Sequence, residues 1–124
     1  MADRTGSSRP FVESDRVEGA AVYGANDGYI GTVKRLIIEK VSGRIVYAVV
    51  GIGGFLGLAE ETHTVPWGKL SYDKKLGGYR TDITEAELRA APRHAPEAGD
   101  DRLGREQEEE LHAYFSIPPY WRAM

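Results

Sequence analysis

From Gly19 onward the apolar residues come in short bursts cut by glycine and polar turns, a spacing that suits strands rather than helices. Ala21-Val22-Tyr23 runs into Gly24-Ala25-Asn26-Asp27-Gly28, where Asn, Asp and Gly supply the left-handed backbone of a tight turn, so a hairpin is predicted there. Between Tyr29 and Glu39 the apolar positions Ile30, Val33, Leu36, Ile37 and Ile38 change parity, which predicts a bulge near Gly31. Val41-Ser42-Gly43-Arg44 then turns the chain into residues 45–52, whose apolar side chains do not alternate. Such a strand is central and covered on both faces. It ends in Gly51-Ile52-Gly53-Gly54-Phe55-Leu56-Gly57-Leu58, a glycine hinge carrying apolar side chains, and a polar turn leads back to Val65-Pro66-Trp67. Further strands are predicted around Val65, Leu70 and Tyr72 and, beyond the turn at residues 74–78, at Tyr79-Arg80-Thr81. Six short strands at hairpin spacing predict a mainly β fold, a small antiparallel barrel or sandwich, with Trp67 as its plug.

Helical signals appear only after the strands. Thr84 with Glu87 three residues on is a capping box, opening a short helix through Ala91 that Pro92 halts. Residues 93–100 read as a Pro/Gly linker. Beyond it Leu103, Gln107, Leu111, Tyr114 and Phe115 share one face of an amphipathic helix, while the glutamate run fills the other. Ser116-Ile117-Pro118-Pro119-Tyr120-Trp121 follows as an extended, aromatic, proline-locked segment suited to docking on the barrel or on a partner. The expected organisation is a mobile lead-in over 1–14, a barrel domain over 15–92, and an acidic linker, helix and aromatic tail over 93–124.

Composition narrows the function classes. The 124 residues are 41% apolar and 28% charged, ordinary for a globular protein, and there is no cysteine for a disulfide, a thiolate nucleophile or a thiolate-held zinc. No apolar run reaches the ~20 residues of a membrane-spanning helix, and the first residues lack the apolar core of a signal peptide; stable membrane insertion is not expected and a cytoplasmic location is. The net charge of −3 sits entirely in the tail: residues 1–92 balance twelve Lys/Arg with twelve Asp/Glu, whereas 93–124 carry four Arg and seven acids. Because nucleic-acid affinity comes mainly from cations on phosphates, this distribution argues against stand-alone RNA or DNA binding.

Motifs that could carry chemistry have simpler readings. Starting at Gly51, a G-x-G-x-x-G phosphate loop would need glycine at position 56, where Leu56 stands, and the segment leads to a strand rather than a helix. His63, His94 and His112 fall on a strand, a linker and a helix without metal-ligand spacing, and His112 reads as a solvated helix residue. Ser42, Ser71 and Ser116 lack a nucleophile elbow. Glu60 and Glu61, beside the apolar loop, read as solvated carboxylates. No catalytic residue, cofactor or metal site is assigned.

The order Gly28-Tyr29-Ile30-Gly31-Thr32-Val33, Gly43-Arg44-Ile45-Val46-Tyr47-Ala48-Val49-Val50, Gly53-Gly54-Phe55-Leu56-Gly57, Val65-Pro66-Trp67 and Asp82-Ile83-Thr84-Glu85-Ala86-Glu87-Leu88 with Ala91-Pro92 resembles the PRC-barrel family, particularly its stand-alone bacterial members. The resemblance covers roughly residues 15–92 and implies a small β-barrel without catalytic residues. Relatives in that family include the cytoplasmic domain of the photosynthetic reaction centre H subunit and the C-terminal domain of a ribosome maturation factor. The expected role is a non-catalytic interaction or assembly module, self-associating as a homodimer or higher oligomer and open to a further protein partner. Its interface is expected at Phe55, Leu56 and Leu58, the sheet edges, and the tail aromatics Tyr114, Phe115, Tyr120 and Trp121. Two other roles are an accessory factor in ribosome assembly or RNA processing, which a basic patch uniting Lys34, Arg35, Lys74 and Lys75 would favour, and a peripheral regulator of photosynthetic or respiratory electron transfer.

Overall fold

A computed structural model describes residues 10–53, 60–92 and 104–122. Six strands form one sheet: β1 (Ala21–Tyr23), β2 (Tyr29–Ile38), β3 (Ile45–Gly53), β4 (Glu60–Pro66), β5 (Ser71–Asp73) and β6 (Gly78–Arg80). A four-residue helix α1 (Ser14–Val17) precedes them, and α2 (Glu85–Ala90) and α3 (Arg105–Tyr114) follow.

The turns form where the chain carries the residues for them. Gly24 N–H donates to the Gly28 carbonyl at 2.8 Å and Asp27 takes φ 65°, closing the β1–β2 hairpin. Glu39 accepts from the amide and hydroxyl of Ser42 and closes the β2–β3 turn, and the Asp73 carboxylate accepts from the amides of Lys75 and Leu76 in the β5–β6 turn. The bulge near Gly31 is present: Val22 pairs with Gly31 and Tyr23 with Tyr29, so Ile30 is the extra residue, and Ile30 and Gly31 are both turned inward. A second irregularity places Lys34 between the pairs Val33–Val50 and Arg35–Val49.

Strand β3 is buried from Val46 to Ile52 and pairs with β2 on one side and, through seven residue pairs, with β4 on the other. Residues 60–62, part of the polar turn predicted before Val65, instead open β4, which runs through His63 and Thr64 to Pro66. Their pairing partners on β3, Gly53 to Gly51, extend the ladder and override the polar composition. The capping box of α2 is complete: Thr84 Oγ1 accepts from Glu87 N–H at 3.1 Å while Glu87 Oε1 accepts from Thr84 N–H at 2.9 Å.

The predicted antiparallel barrel needs two corrections. The order β4-β3-β2-β1-β6-β5 leaves β4 and β5 as the two ends of a sheet not closed by pairing, and β1 runs parallel to β6. Both have one cause. Pro66 ends β4 without a backbone donor, and Trp67–Lys69 winds into a single 3-10 turn that carries the chain onward rather than reversing it. Strand β5 therefore keeps the sense of β4, and β6, reversing from β5, comes alongside β1 pointing the same way.

The core joins Val22, Val33, Ala48, Val50 and Val65 of the sheet to Leu88 of α2 and to Leu111 and Phe115 of α3. Trp67 is not the plug; it is half-buried, with its ring 5.5 Å from that of Tyr79. Among the described residues the largest fully buried side chain is Tyr47.

Candidate interaction surface and the docked C-terminal segment

Tyr47 is the one polar side chain of β3, and burying a phenol calls for a partner for its hydroxyl. The tail supplies two. Tyr47 Oη donates to Glu108 Oε1 at 2.7 Å and lies 3.0 Å from His112 Nε2, while His112 Nδ1 faces the Ile117 carbonyl at 3.3 Å. Burial, reinforced by the Glu108 carboxylate, pushes the Tyr47 hydroxyl well above its usual range, so it acts as a donor and not as a base. Tyr120, whose ring meets that of Tyr47 edge-on at 6.0 Å, is raised by burial and by the Glu108 carboxylate.

Around this network the tail is fastened at several further points. Leu111 is fully buried and Phe115 nearly so. Tyr114 Oη donates to the Glu87 carbonyl at 2.6 Å, tying α3 to α2. Arg105 stacks over Trp121 at 3.8 Å from the ring centroid, and Trp121 packs 5.5 Å from His112. The end of α3 is a Schellman turn: Ser116 N–H donates to Ala113 O and Ile117 N–H to His112 O, with Ser116 in the left-handed region at φ 55°.

Several expectations change here. His112 is buried, not solvated, because its face of α3 points at Tyr47. Glu108 leaves the outer glutamate face for the same reason. The signal was available: Glu108 stands three residues before Leu111 and four before His112, on the inward face. Glu60 and Glu61 lie on β4 rather than a loop; Glu60 pairs with Lys34 at 3.3 Å, and Glu61 bridges His63 at 3.0 Å and Arg89 at 3.1 Å.

Of the seven predicted interface residues, Tyr114, Phe115, Tyr120 and Trp121 are brought together within the tail and engaged inside the chain. Phe55, Leu56 and Leu58, like Leu103, His94 and the linker, lie outside the described residues. The flanks of the loop are described, and the pair Gly53–Glu60 closes the β3–β4 ladder at its base.

A shallow depression of about 410 Å³ lies beside Gly68, Lys69, Arg80, Asp82 and Ser116. Its cations are already held: Lys69 by Asp82 at 2.8 Å, and Arg80 by Asp27 at 3.2 Å and Asp73 at 3.1 Å. Among the described residues no helix is long and apolar enough to cross a membrane.

The resemblance drawn from the residues is matched by the family model of the PRC-barrel domain, which covers residues 10–88. The chain belongs to the PRC-barrel family. An uncharacterized protein of Deinococcus radiodurans is 33% identical in an alignment 104 residues long that covers 76% of this chain and 37% of that protein, so this PRC-barrel chain spans little more than a third of its relative's length. A crystal structure of RimM from Pseudomonas aeruginosa, assigned to 16S ribosomal RNA processing, is 20% identical with a TM-score of 0.41, covering 64% of this chain and 48% of its own. At that level the likeness carries no functional inference. The docked tail from Gly104 onward lies beyond the PRC-barrel match.

Proposed function

We propose that this PRC-barrel chain is a non-catalytic interaction module that self-associates through the loop at residues 55–58 and the free edges of its sheet. The observation that carries this reading is the β3–β4 hairpin: seven residue pairs and a buried strand lead to a loop holding Phe55, Leu56 and Leu58 in six residues. Apolar side chains on a loop anchored at both ends suit a protein contact, since burying each is worth about 1.5–3 kcal/mol. Chemistry is disfavoured by the same geometry, because the polar groups gathered at Tyr47 are turned inward and spend their hydrogen bonds on one another.

The accessory role in ribosome assembly rests on a basic patch. In the sheet order β1 stands between β2, the strand of Lys34 and Arg35, and the β5–β6 hairpin whose turn carries Lys74 and Lys75, and Lys34 is paired with Glu60. Neither point favours that role.

The test is Phe55→Asp in the full chain, compared with the parent by light scattering. Loss of mass toward the 13.7 kDa monomer with an unchanged sheet spectrum supports the proposal. An unchanged mass removes the loop from the interface.

A further inference from the structure

The two ends of the open sheet are not alike. Strand β5 is three residues long and runs into the turn of Lys74 and Lys75, so it gives another strand little to pair with. Strand β4 is seven residues long. Between Glu61 and Val65 it carries only Thr62, His63 and Thr64, without the lysine, proline or bulge that keeps an edge single.

Which backbone groups of β4 face outward follows from the neighbouring ladders. Val33 N–H donates to the Ala20 carbonyl at 2.9 Å and the Val33 carbonyl accepts from Gly19 N–H at 2.7 Å, so both groups of Val33 turn away from β3. Val50, opposite Val33, therefore turns its own N–H and C=O toward β4, where it faces His63. Alternation along β4 then aims the backbone groups of Glu61, His63 and Val65 at β3, and those of Glu60, Thr62, Thr64 and Pro66 at the free edge. Pro66 has no N–H and falls on the edge side, where the missing donor breaks no ladder bond. Thr62 and Thr64 are only half-buried, and among the described residues neither has a backbone hydrogen bond outside the sheet.

We propose that β4 pairs antiparallel with β4 of a second copy about a two-fold axis at His63, joining the two sheets edge to edge. This rests on the self-association proposed above and gives it a geometry. Centred on the strand's midpoint, the register sets Thr62 opposite the second copy's Thr64, and Thr64 opposite its Thr62, as hydrogen-bonded pairs. His63 meets its own counterpart on the axis as the non-bonded pair between them. Thr–Thr neighbours across strands add to the stability of such a ladder. The same register lays Glu60 and Glu61 alongside the second copy's Pro66 and Val65, so the carboxylates of the two copies stand at opposite ends of the join. A parallel pairing would set them against each other. Within each chain Glu60 is held by Lys34, and Glu61 by His63 and Arg89. A two-fold join uses both β4 edges at once and closes at the dimer.

The experiment follows amide hydrogen exchange of the full chain by NMR, at a dilution where sedimentation shows monomer and at a concentration where it shows assembly. With about nine-tenths of the chains assembled, the Thr62 and Thr64 amides should exchange about tenfold more slowly than in the monomer, because only the free tenth leaves them open. The His63 amide, bonded to β3 in both states, should change far less. Thr64→Pro removes the outward donor from each copy at an edge position that tolerates proline. The association constant should fall at least about tenfold, since each dimer loses a pair of hydrogen bonds, while the sheet's circular dichroism holds. Exchange at Thr62 and Thr64 that ignores concentration in a chain that does assemble, or an unchanged association constant in folded Thr64→Pro, overturns the β4 pairing and leaves the loop contact to the Phe55→Asp test. A chain that stays monomeric at every concentration overturns both. Should Thr64→Pro lose its sheet signal, the contrast between Thr62, Thr64 and His63 in the parent decides.

Discussion

The hydroxyl of Tyr47 on β3 and the carboxylate of Glu108 on α3 lie 2.7 Å apart across 61 residues of sequence. A hydrogen bond to an ionised acceptor is roughly twice as strong as a neutral one, and this one joins the middle of the most buried strand to a helix beyond the residues of the PRC-barrel match. It makes the tail part of the molecule's packing rather than an appendage.

Tyr47→Phe keeps the ring and its contacts but removes the hydroxyl that serves both Glu108 and His112. Leaving a buried carboxylate short of a donor costs about 1–3 kcal/mol. Urea unfolding should show a loss of that size, with hydrogen exchange accelerated at residues 108–115 more than in β2–β3. An unchanged midpoint would mean that the bond adds nothing to docking.

Ser116 holds a left-handed backbone where glycine is the usual occupant. Relief of that strain by Ser116→Gly is worth about 1–2 kcal/mol, and the extra freedom of the unfolded chain takes back about 0.4–1 kcal/mol. A net gain near 0.5 kcal/mol should raise the melting temperature by roughly 2–3 °C. A fall would show that the Ser116 side chain makes a contribution beyond its backbone.

Much of the sheet was legible because its signals are local. Asn26-Asp27-Gly28, Gly43 and the Thr84–Glu87 pair each act within four residues, and the parity change after Ile30 marks the bulge by itself. What could not be read depends on partners distant in sequence. Residues 60–62 are polar and become a strand only because β3 pairs with them. Openness of the sheet follows from a 3-10 turn whose effect on strand direction is not written in Trp67-Gly68-Lys69. Glu108 and His112 look like solvent-facing helix residues until Tyr47, the lone hydroxyl in an aliphatic strand, is set opposite them.

Gly31 and Gly51 make contrasting tests of the β2–β3 contact. A Cβ on Gly31 would collide with the backbone carbonyl of Gly51, which cannot move without breaking the ladder. A Cβ on Gly51 would stand 2.7 Å from Glu60 Oε2 and 2.9 Å from Lys34 Cδ, the ends of flexible side chains. Gly31→Ala should therefore cost more than the usual overpacking range of about 1–3 kcal/mol and Gly51→Ala about 1 kcal/mol or less. Equal losses in chemical denaturation would contradict this reading of the bulge.

Self-association of the full chain is measured by sedimentation equilibrium. Across micromolar concentrations at neutral pH, the weight-average mass should lie above the 13.7 kDa monomer and rise with concentration. That mass should change little between low and high salt, because apolar burial is not screened by ions. A monomer mass at every concentration, or an assembly that salt dissolves, would contradict it.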